Sequence, residues 1–88
     1  MKSIEATVFD CFSSEKRVKL IMCLSDEKCV TDLLSLCDLS QSALSQHLKI
    51  LKDAGVVTCR RDGKKQMYRT VNKKALTLAQ NLLALQAA

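Results

Sequence analysis

The chain has 88 residues, 48% of them hydrophobic and 3% aromatic, with two glycines and no proline. That describes one small domain, 1–88, too poor in turn residues for an all-β fold or a glycine-rich phosphate loop. The formal charge is +5, but residues 49–88 hold nine basic side chains against two acidic ones, while residues 1–48 hold five against seven.

In chain order, Ile4, Val8 and Phe12 recur on one stripe of a helix over 4–12. Ser13 and Ser14 are capping residues for a second helix, Glu15–Leu24, with Val18, Ile21 and Met22 inward. Thr31 reads as the cap of a short third helix ending near Cys37, and Ser40 as the cap of a longer fourth, Gln41 to Ala54. Leu44, Leu48 and Leu51 line the inner face of that fourth helix, and Gly55 supplies its left-handed end. Val56–Arg60 and Met67–Val71 read as strands joined at Asp62-Gly63. Asn72 caps a final helix whose apolar side spans more than half its circumference (Leu76, Leu78, Ala79, Leu82, Leu83 and Leu85). In so short a chain a stripe that wide implies burial by a second copy, or else folding back onto its own core. The opening residues form no secretory hydrophobic region. The longest apolar run, Leu20 to Leu24, is far short of the roughly 20 residues of a membrane span. The expectation is a cytoplasmic protein with no membrane partner.

The fold class expected is mainly α with a small β-hairpin: four helices, two strands, one helix, arranged as a winged helix-turn-helix. An α-helix fits the DNA major groove, so the outer side of such a second helix must be built from hydrogen-bonding residues. Gln41, Ser42, Ser45, Gln46, Lys49 and Lys52 supply it, with no acid before Asp53. A merely solvated helix face would mix Glu with Lys at i,i+4 spacing. His47 lies at the edge, open to a phosphate or to a hydrogen-bonded packing role. In the hairpin Arg60, Arg61, Lys64, Lys65 and Arg69 surround Asp62, a surface for sugar-phosphate backbone, with each neutralised phosphate adding about 0.9 to the logarithmic salt slope. Tyr68 reads as wing packing.

The run from Leu39 to Val57, LSQSALSQHLKILKDAGVV, closely resembles the helix-turn-helix signature of the ArsR/SmtB family of bacterial repressors. The likeness extends back through Arg17–Ile21 and forward through Arg61-Asp62-Gly63-Lys64 to Met67-Tyr68-Arg69, covering residues 8 to 72. The resemblance implies a homodimer paired through the first and last helices (Val8, Phe12, Leu78, Leu82, Leu83 and Leu85), a palindromic operator in double-stranded DNA, and repression relieved in many members by a metal, metalloid or oxidant. The family's metal box, an acid followed by Cys-Val-Cys-Asp-Leu, is matched by Glu27-Lys28-Cys29-Val30-Thr31-Asp32-Leu33, with Thr31 in place of the second thiol. A lone thiolate does not hold a soft ion, which takes three or four ligands. From Thr70 onward there is no Asp, Glu, His or Cys, so the last-helix metal site and the redox partner that relatives pair with a second-helix cysteine such as Cys23 are both missing. No metal or other cofactor is expected.

Five cysteines, an odd number, read as free thiols. Cys11, Cys23 and Cys37 sit among apolar residues as small core fillers. Cys29, between Lys28 and a helix start, is the candidate for a redox or metalloid role, with Cys11 or Cys59 as a second thiol across a dimer. The leading expectation is therefore a DNA-binding repressor, beside a thiol sensor of the same family and a winged-helix module that binds protein. One His and no nucleophile–base constellation exclude an enzyme.

Overall fold

The computed structural model describes residues 7–87; Ile4, at the start of the expected first helix, lies outside them. The order is α1 (Val8–Phe12), α2 (Glu15–Cys23), β1 (Lys28–Cys29), α3 (Val30–Leu36), α4 (Gln41–Asp53), β2 (Val57–Asp62), β3 (Lys65–Thr70) and α5 (Lys73–Ala87). Local chemistry sets most boundaries. The Ser14 hydroxyl accepts from the Arg17 N–H at 3.4 Å, Ser40 from Ala43 at 3.1 Å, and the Asn72 amide oxygen from Ala75 at 3.0 Å, each cap contributing about 1 kcal/mol. Gly55, at φ 78°, turns the chain out of α4. Its N–H bonds the Lys52 carbonyl and that of Val56 the Leu51 carbonyl, both at 3.0 Å, the paired bonds of a Schellman end.

Three expectations are corrected. The sheet has three antiparallel strands in the order β1-β3-β2, since Lys28 and Cys29 pair with Tyr68 and Met67. The third helix is capped by Cys29, not Thr31: α3 starts at Val30, and Asp32 reaches back to accept the Cys29 N–H at 3.4 Å. The wing strands run deeper into charged sequence than β-propensity indicates, pairing out to Asp62↔Lys65. The loop is then Gly63-Lys64, with positive φ at Gly63 alone (64°), as a type II′ turn requires.

The core is one cluster. Leu20, Ile21 and Leu24 of α2 and its end meet Leu33, Leu44, Leu48, Leu51 and Val56, all buried. Burying one such side chain contributes about 1.5–3 kcal/mol. α5 packs on α2 through Ala75 and Ala79, whose small side chains let the helices approach, with Leu76, Leu82, Leu83 and Phe12 partly buried around them. Folding back therefore claims Leu82, Leu83 and Phe12, and leaves Leu78, Leu85, Val8 and, unforeseen from the sequence, Phe9 facing outward, Phe9 at 87% exposure. Among the described residues, no helix is long and apolar enough to cross a membrane.

Candidate nucleic-acid interface

The α4 helix divides cleanly. Leu44, Leu48 and Leu51 are buried, whereas Gln41, Ser42, Ser45, Gln46, Lys49 and Lys52 are exposed. Core burial of the leucine stripe therefore fixes which way the polar side chains point. A cleft of about 600 Å³ separates this face from the wing: Gln41, Ser45, Lys49 and Lys52 form one wall, Lys64, Lys65 and Gln66 the other, and Cys29 lies among the lining residues between them. Lysines from two elements 12 or more positions apart thus share one opening, which concentrates positive potential there. Lys49 also pairs with Asp53 at 2.8 Å; both ends are solvated, so the pair is weak and releasable.

The wing cations are not equivalent. Arg60 is engaged bidentately by Glu27, Nε and Nη2 each donating to a carboxylate oxygen at 2.7 Å. That hydrogen bonding holds the Glu27 carboxyl below its ordinary range. Arg61 donates to the Gly63 carbonyl at 3.2 Å. Arg69, like Lys64 and Lys65, is exposed. Tyr68 is half-buried against the core, as wing packing requires.

His47 is half-buried, and the Arg17 Nη1 donates to its Nδ1 at 3.0 Å. A guanidinium only donates, so Nδ1 is an acceptor and the ring neutral, with the remaining proton on Nε2. Burial first, then the positive charges of Arg17 and Lys16, hold its pKa below the ordinary value. Arg17 also donates to the Asp10 carbonyl at 2.8 Å and the Ser13 hydroxyl at 3.0 Å, so one side chain ties α1, α2 and α4 together. Arg17 and Glu27 are positioning residues that sequence reasoning missed. Their partners lie 30 and 33 residues away, beyond any local pattern.

Residues 14–58 match the model of the bacterial regulatory protein arsR family. The chain belongs to the arsR family. It is 40% identical over 72 residues to the cadmium resistance transcriptional regulatory protein CadC of Listeria innocua, covering 80% of this chain and 60% of that protein. It is 36% identical over 78 residues to the arsenical resistance operon repressor of Staphylococcus aureus, covering 88% and 75%. The chain thus spans about 60% of the length of the first curated relatives it matches. Among solved structures, HlyU from Vibrio cholerae superposes with a TM-score of 0.80 at 29% identity over 92% of this chain and 89% of that one. The transcriptional repressor BigR from Xylella fastidiosa gives 0.80 at 30% identity over 89% and 81%. CadC, the arsenical repressor and BigR are transcriptional regulators, not enzymes, and this arsR-family chain shares its winged-helix architecture with HlyU and BigR.

In this arsR-family chain the metal-box positions are dispersed. Cys29 is 4% exposed, and its thiol and N–H both hydrogen-bond Asp32, holding that carboxyl low. Thr31 is exposed. Among the described residues, no three His, Cys, Asp or Glu side chains gather closely enough to hold a metal ion. Cys59 lies on β2, its thiol 3.9 Å from the Gln66 amide oxygen.

Proposed function

We propose that the chain works in the cytoplasm as a homodimeric, sequence-specific repressor of a palindromic operator. The observation that carries this reading is the shared cleft: an outer face of α4 with no acid before Asp53, set opposite the wing lysines. Gln41, Ser42, Ser45 and Gln46 read base edges in the major groove, where Gln pairs bidentately with adenine and Ser with a base or phosphate. Lys49, Lys52, Lys64, Lys65, Arg61 and Arg69 take phosphates. Arg60 grips the duplex only by leaving Glu27, and His47 positions α4 through Arg17. Val8, Phe9, Leu78 and Leu85 form the outward apolar surface for a second copy, with Phe12, Leu82 and Leu83 beneath it. A footprint on the DNA upstream of the protein's own coding sequence tests this. Two protected half-sites about one helical turn apart are expected, and uniform protection of all DNA overturns the reading.

Cys29 supports a second reading, because the same cleft reaches it: a thiol that reports an oxidant or thiophilic metal to the DNA face, as the cadmium and arsenical names of relatives suggest. Replacing Cys29 with Ser then makes operator affinity indifferent to both agents. A response that persists in that variant removes Cys29 from the role.

A further inference from the structure

Cys23 closes α2 and Cys37 is the cap residue after α3. Although they come from different helices, both are half-buried and line one cavity of about 220 Å³ with Lys16, Lys19, Leu36 and Leu39. Leu36, at 61% exposure, marks where that cavity meets solvent. Of the charged groups lining it, Lys16 and Lys19 are cations and Asp38 is an anion, so positive charge predominates around the two sulfurs. Burial first, then the adjoining Cys23, raises the Cys37 thiol, which favours its protonated form and suits it to a second, disulfide-closing step. The remaining cysteines differ: Cys11 and Cys29 are buried and Cys59 is on the wing.

We propose that Cys23 and Cys37 form a two-thiol oxidation site, closed to a disulfide by hydrogen peroxide, that displaces the start of α4. The Cys23 thiolate attacks one peroxide oxygen; the O–O bond breaks and hydroxide leaves as water once protonated. The Cys37 sulfur then attacks the resulting sulfenic acid. An S–S bond forms, and the S–OH oxygen departs as a second water with the Cys37 proton. The two sulfurs lose two electrons in total and the peroxide gains them. Cys37 directly precedes Asp38-Leu39-Ser40, and Ser40 caps α4, so drawing Cys37 toward α2 pulls on the end of α4 that carries Gln41, Ser42 and Ser45.

The full chain is titrated with hydrogen peroxide, free thiols are counted, and the linked peptides are mapped by mass spectrometry. The expected result is a loss of two of the five thiols, a Cys23–Cys37 crosslink within one chain, and about a ten-fold weaker hold on the operator, within the usual span of coupled equilibria. Both Cys23→Ser and Cys37→Ser block all of this while Cys29→Ser does not. Circular dichroism of the reduced variants, with Cys37→Ala as a second replacement, confirms that they fold. A crosslink to another cysteine or between chains overturns the site, and a Cys23–Cys37 crosslink with unchanged operator affinity overturns the switch. The affinity arm alone rests on the DNA-binding reading. If the reduced protein binds no DNA, that reading fails while the crosslink map still decides whether the thiols pair.

Discussion

Two helices of this chain begin alike and finish differently. Both α4 and α5 start on a polar cap, Ser40 and Asn72, and both press small or branched apolar residues onto α2 and its neighbours. The outer side of α4 is polar from end to end, whereas that of α5 carries Leu78 at 44% and Leu85 at 73% exposure. A polar outer face has a solvent and needs no partner to be stable; an apolar one is left with hydration that a second surface removes. The contrast separates a face suited to DNA from a face suited to self-association.

The strongest way to break that comparison is to make α5 resemble α4. Leu85→Glu, with Leu78→Glu as its companion, should convert the proposed dimer to a folded monomer by sedimentation. Loss of the second half-site should weaken operator binding by about 10²–10⁴-fold; a variant that stays dimeric would remove α5 from the interface. On the other helix, Gln46→Ala should cost about 1–3 kcal/mol on the operator and much less on random duplex. Equal losses on both would reassign Gln46 from base reading to general adhesion. Lys64→Ala or Lys65→Ala should do the converse, weakening all duplexes alike and flattening the logarithmic salt slope by about one unit each; an unchanged slope places that lysine off the backbone.

The smallest effect concerns what holds α4 in place. Because burial lowers the His47 pKa, the unfolded chain takes up that proton first as pH falls. The stability linked to neutral His47 is complete above about 6.5, the ordinary imidazole value, and is lost as pH drops through the lowered folded value. In His47→Gln the urea midpoint should vary less with pH across that window. An undiminished variation would assign the titration to other groups.

Where structure is decided locally, the residues announce it. Ser14, Ser40, Asn72 and Gly55 each satisfy or reverse backbone within four residues, so four helix boundaries were readable, as was the polar side of α4 from its leucine period. Where distant partners decide, the sequence is silent. Lys28-Cys29 is a strand only because Met67 and Tyr68 lie alongside. Thr31 has the side chain of a cap, yet Asp32 closes the turn one step earlier on Cys29. The outer wing strands carry Arg61, Asp62, Lys65 and Gln66, poor strand formers held in register by the tight Gly63-Lys64 turn. Among the candidate site residues, the chemistry of Arg60 and His47 was legible but their commitments to Glu27 and Arg17 were not. Likewise Cys23 and Cys37 looked like unrelated fillers until the fold put them on one cavity.

Thr70, at the root of the wing, donates its hydroxyl to the Ile21 carbonyl at 2.9 Å and its N–H to that of Leu24 at 2.8 Å, while β1 pairs with β3 along that same edge and β2 along the opposite one. A wing clamped at its base in this way resists swinging away from α2. If the chain docks on a duplex as proposed, the span between α4 in the groove and the hairpin on the backbone is a calliper set before contact, so that groove width is itself measured and DNA too narrow or too wide is refused without a side chain touching a base.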